Sequence, residues 1–60
     1  MKVLIVTNDT NQRNIYLRSI ASVMGVSATY SERSAEDALF TILDQKISLV
    51  ITEDDLPNRS

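Results

Sequence analysis

The stretch Ile47-Ser48-Leu49-Val50-Ile51-Thr52-Glu53-Asp54-Asp55-Leu56-Pro57 decides how this chain is read, because a short apolar run ends there in three acids and a proline. Five of the six residues from Ile47 to Thr52 are apolar or β-branched. A run this short without polar alternation predicts a strand buried on both faces, the kind found in parallel sheets covered by helices. In open α/β sheets the working site lies beyond the carboxyl ends of the strands. Glu53, Asp54 and Asp55 fall at that edge.

The rest of the chain supplies the partners for such a strand. Lys2 to Val6 has the same short β-branched character and predicts a second buried strand. Thr7-Asn8-Asp9-Thr10 offers turn formers and helix N-caps, with Asp9 or Thr10 as the cap. From Asn11 to Met24, Tyr16, Leu17, Ile20, Ala21, Val23 and Met24 recur at helical steps, and Gly25 stands where a left-handed residue would end that helix. Val26 to Tyr30 predicts a strand nearer the edge, with Val26, Ala28 and Tyr30 on one side. Ser34-Ala35-Glu36-Asp37 approximates a capping box, and Ala35, Ala38, Leu39, Ile42 and Leu43 continue the clearest helical stripe of the chain to about Gln45, closed by Lys46. The order is β-α-β-α-β. Alternation of this kind implies right-handed crossovers and one α/β domain over residues 1–60, half of a doubly wound parallel sheet with strand order 2-1-3.

Composition narrows the chemistry. There is no cysteine, so no disulfide or thiolate site supplements a core that, at sixty residues, buries only about 60% of the unfolded surface. Lack of histidine removes the commonest general base and transition-metal ligand. Six basic and eight acidic residues, in no long block, argue against a nucleic-acid surface, and Tyr16, Tyr30 and Phe40 are too scattered to stack bases. No run approaches the roughly 20 apolar residues that span a bilayer, and the opening apolar run meets Thr7-Asn8-Asp9 and no cleavage site. The expectation is a cytoplasmic protein without a membrane partner. Neither Gly-x-Gly-x-x-Gly nor Gly-x-x-x-x-Gly-Lys occurs, which argues against a nucleotide-binding enzyme.

In this order of elements the chain resembles the N-terminal half of a response-regulator receiver domain, the phosphoacceptor module of two-component phosphorelays. Lys2-Val3-Leu4-Ile5-Val6 is similar to the first receiver strand, Arg13 stands where the first helix often has an arginine, and Gly25 falls at the usual turn. Asp37-Ala38-Leu39 resembles the family's Glu-Ala-Leu, Ser48-Leu49-Val50-Ile51 its Asp-Leu-Val-Leu, and Leu56-Pro57 its Met-Pro. The resemblance makes Glu53, four residues before Pro57, the phosphoacceptor equivalent, with Asp54 the alternative by a one-residue slip. It also implies an acidic pocket, here degenerate, at Thr7, Asn8, Asp9 and Asp55.

The departures fall on the chemistry. Receivers hold Mg²⁺ with a pair of acids where this chain has Thr7 and Asn8. Mg²⁺ asks for octahedral oxygens at about 2.0–2.1 Å and is normally anchored by carboxylates. No resident metal or cofactor is therefore expected, with weak Mg²⁺ binding through Asn8 or Asp9 as an alternative. Glutamate at position 53 displaces the carboxylate by roughly 1.5 Å from an aspartate's place, and phosphoryl transfer depends on positioning. Its fixed charge partly imitates a phosphoryl group. The expected function is a non-enzymatic, pseudo-receiver signalling module acting through protein–protein association. The alternatives are a Mg²⁺-dependent phosphoacceptor using Asp54 or Glu53, and a purely structural half-domain whose acids form only a solvated turn.

The family's third strand is central, and here no later strand follows it. Its edge at Ile47, Leu49 and Ile51 is thus expected to be an interface, most simply a two-fold homodimer through the third strands. Whether Ser60 is a natural end or a cut inside a longer regulator stays open.

Overall fold

A computed structural model describes residues 1–52. Strand β1 spans Lys2–Val6, helix α1 Thr10–Ala21, strand β2 Ala28–Glu32, helix α2 Ala35–Gln45 and strand β3 Leu49–Thr52. The strands form one parallel sheet in the order β2-β1-β3, so the α/β half-fold read from the sequence is the fold of the chain. Val6 stands opposite Glu32 on one side and Thr52 on the other, which brings the carboxyl ends of all three strands to one edge.

Topology decides where the helices go. The chain steps from β1 out to β2 and then back across β1 to β3, and crossovers of one hand running in opposite directions put their helices on opposite faces. The packing follows: Val3 and Ile5 meet Ile20 of α1, with Tyr16 and Leu17 beside them, while Leu4 and Val6 meet Ala38 of α2. Successive β1 residues therefore serve different layers, and none from Val3 to Val6 is more than 2% exposed. Each such side chain is worth about 1.5–3 kcal/mol when fully buried.

β3 differs from its sequence-based expectation. The run from Ile47 is not a strand buried on both faces; it becomes a strand only at Leu49, and Leu49 and Val50 are 46% and 42% exposed. β1 and β3 are alike in composition, but β1 has a strand on each side and a helix on each face. Among the described residues β3 has a strand on one side only, and α2 lies chiefly over β1 and β2.

The first crossover is corrected in the same way. α1 ends at Ala21, short of Met24, because the Val23 N–H donates to the Ile20 carbonyl at 2.9 Å and turns the chain away. Val23 and Met24 consequently leave the apolar stripe, and Met24 is 94% exposed. Gly25, at φ 93°, serves the turn that follows and does not itself cap the helix. The N-terminal amine donates to the Gly25 carbonyl at 2.7 Å, and the Ser27 N–H donates to the Met1 carbonyl at 2.8 Å, tying that turn to the start of β1. β2 thus begins at Ala28 instead of Val26. Val26 packs on the α1 side and Tyr30 on the α2 side, so Val26, Ala28 and Tyr30 do not share one side.

α2 is the better signposted helix. Ser34 Oγ accepts the Asp37 N–H at 3.2 Å, and Glu36 and Asp37 in the first turn complement the positive end of the helix dipole. Lys46 ends the helix in the left-handed region at φ 45° and ψ 57°, a conformation that costs a non-glycine residue about 1–2 kcal/mol. Gly25 also has positive φ, and a Cβ there would meet nothing within 4 Å, so only backbone strain opposes a side chain. Lys46→Gly is expected to stabilise the fold by about 1 kcal/mol and Gly25→Ala to destabilise it by a similar amount, roughly. Urea unfolding followed by circular dichroism reads both, and the two shifts should have opposite signs.

Candidate functional site

The carboxyl end of β1 is built around a buried hydroxyl. Thr7 is 3% exposed, its N–H donates to the Glu32 carbonyl at 3.0 Å, and its Oγ1 accepts the Asp9 N–H at 3.1 Å. That second bond is a local side-chain turn, which fixes the direction in which the chain leaves the strand. Asn8, at its apex, is exposed.

Asp9 is then delivered to the start of α1. Its Oδ1 accepts the N–H groups of Asn11 at 2.8 Å and Gln12 at 3.3 Å, and its carbonyl accepts the Arg13 N–H at 2.9 Å. Asp9, and not Thr10, is therefore the N-cap. Its charge faces the positive end of a helix whose first turn holds no acid of its own. Arg13 sits half-buried one turn further on, its Nη2 donating to Asn14 Oδ1 at 3.4 Å.

These placements set what Thr7, Asn8 and Asp9 bring to this end of the sheet. Thr7 and Asp9 are brought together, but by a bond that satisfies the backbone, and Asn8 projects to solvent. Among the described residues no three acidic or other ligating side chains converge as a metal site would require. Glu53, Asp54 and Asp55 lie outside the described residues, next in sequence to Thr52, which is paired with Val6.

The residues expected at the β3 edge do not form one surface. Ile47 precedes the strand and packs towards Leu4, Val6 and Ala38 on the α2 side, whereas Ile51 packs with Val3, Ile5 and Ile20 on the α1 side. Leu49 shares the face of Ile51 by strand alternation. The residue missed by the sequence reading is Val50, which lies on the α2 face with Leu39 and Ile42 around an apolar groove of about 180 Å³. Its signal was present in the period of two. The wide apolar arc of α2, extending from Leu39 to Leu43, pointed to the same place.

No family model matches the chain, and neither a curated protein nor a solved structure matches it. No helix among the described residues is long and apolar enough to cross a membrane.

The assignment of Asp9 gives a direct check. Asp9→Ala leaves two α1 amides without their side-chain acceptor and is expected to lower stability by about 1 kcal/mol, while Asn8→Ala, at an exposed position, changes it little. Chemical denaturation of the two variants in parallel separates these outcomes.

Proposed function

We propose that the chain is a receiver-like signalling module that acts by protein–protein association, with fixed acidic charge at Glu53 in place of a switched phosphoryl group. The observation that carries this reading is β3: a strand paired on one side among the described residues, with Leu49 and Val50 nearly half exposed. Unpaired strand edges are templates for further pairing. The apolar groove at Val50, Leu39 and Ile42 extends that edge onto the helix layer. The strand order and the opposed helices support the receiver-like part of the reading. The use of Thr7 and Asp9 for turn and cap supports the non-phosphorylated part.

A two-fold homodimer through β3 is the simplest association, because antiparallel pairing of two β3 strands continues both sheets and places the two α2 grooves side by side on one face. A cytoplasmic setting belongs to the same reading. Sedimentation velocity across a micromolar concentration series is expected to show dimers, and Val50→Lys or Leu49→Lys, which places a charge on the edge, should return the chain to monomer. A compact monomer at every concentration overturns the association. Incubation with acetyl phosphate and Mg²⁺ should leave the intact mass unchanged. A gained phosphoryl group that disappears on Asp54→Ala or Glu53→Ala would instead establish the phosphoacceptor reading.

A further inference from the structure

The opposite margin of the sheet carries a second surface, and its properties differ from those of the β3 edge. Between β2 and α2 lies an open groove of about 580 Å³ lined by Tyr30, Glu32, Phe40, Thr41, Leu43 and Asp44, with Gln45 at one end. Its floor is held by two side-chain bonds: Thr41 Oγ1 donates to Glu32 Oε2 at 2.6 Å, and the Tyr30 hydroxyl donates to Gln45 Oε1 at 3.0 Å. Its apolar lip consists of Phe40 and Leu43, 67% and 79% exposed. Among the described residues, the charged side chains lining it are two acids, Glu32 and Asp44.

The backbone beside this groove is oriented for strand addition. The Glu32 carbonyl accepts from Thr7, the residue that follows β1, so the period of two along a strand turns the peptide groups of Thr29 and Ser31 towards the other edge. No strand among the described residues covers that edge. A segment paired there would send alternate side chains onto the α2 face, into the groove.

We propose that the β2 edge and this groove bind an extended peptide segment in which basic and apolar side chains enter the groove together. The apolar side chains pack on Phe40 and Leu43. The cations meet the carboxylates of Glu32 and Asp44, with the Phe40 ring offering its face. Charge complementarity selects this occupant over an acidic segment, for which Glu32 and Asp44 are repulsive. A second copy of this edge fits less well, since Ala28–Glu32 would bring another Glu32 into the groove, its nearest cation being Arg33 beyond the end of the strand. The surface lies across the sheet from β3 and does not depend on how β3 associates.

Amide NMR of the full chain titrated with short synthetic peptides tests this. The probes are a peptide containing both Lys and Val at groove-facing positions and a counterpart with Glu in place of every Lys. The Lys peptide is expected to move the amides of Thr29, Ser31 and Phe40 with saturable binding that weakens about fivefold or more between roughly 0.05 and 0.5 M salt. Asp44→Asn and Phe40→Ser, both at exposed positions, should each weaken it about threefold to tenfold without altering the far-UV spectrum. Equal binding of the Glu peptide, shifts confined to β3, or no binding overturns the proposal. So does broadening of Thr29 and Ser31 by self-association alone.

Discussion

The structure depends on β1 being buried on every side. Its backbone is laddered to β2 and β3, and its side chains alternate between two helix layers, Val3 and Ile5 towards α1, Leu4 and Val6 towards α2. A polar residue at any of these four positions would lack a partner in one layer, which costs about 1–3 kcal/mol before lost packing is included. The rest of the buried apolar set, Ile20 and Ala38, is what the two helices contribute by resting on β1. Each helix thus reaches the core through one buried residue, and the remaining apolar residues of α2 are left to the margins.

Those margins follow from having one central strand. Among the described residues the sheet has three strands, no strand covers the outer edge of β2 or β3, and α2 is broad enough to flank both. Ala38 faces β1, Leu39 and Ile42 border the side of β3, and Phe40 and Thr41 border the side of β2. The two flanks differ in chemistry. The β3 flank is almost wholly apolar, whereas the β2 flank holds Glu32 and Asp44 among aromatic and hydroxyl groups. One helix therefore gives the sheet two unlike edges, and a partner suited to one is poorly suited to the other.

Much of the fold was legible from local pattern, because that pattern is set by local physics. The α2 stripe, its Ser34 cap and its end at Lys46 are all present in the sequence as spacing and residue type. Burial of β3 was not legible, since Leu49-Val50-Ile51 has the composition of β1 and only sheet order distinguishes a central strand from an outer one. The end of α1 was hidden for a related reason: Val23 and Met24 keep helical phase in sequence, yet the turn at Ile20 to Val23 removes them from the helix. At the site, the capping role of Asp9 was readable from residue type. The split of Ile47 and Ile51 to opposite faces was not, because it depends on where the strand begins.

The end of β1 shows folding and chemistry competing for the same groups. A carboxylate that caps a helix presents its oxygens to amides. To hold a divalent ion it must present them to the metal within a narrow octahedral geometry. Asp9 is committed to the first use, with two amides on Oδ1 and its own N–H held by Thr7. Turning it inward would open the Thr7 turn and uncap α1, the helix that covers Val3 and Ile5. The position of Asp9 Oδ1 is thereby tied to the packing of the central strand. No such linkage restrains Leu49, Val50, Phe40 or Leu43, whose exposed surfaces support no other part of the described structure. New contacts at the sheet edges can therefore form without dismantling old ones, whereas moving Asp9 Oδ1 disturbs the helix that it caps.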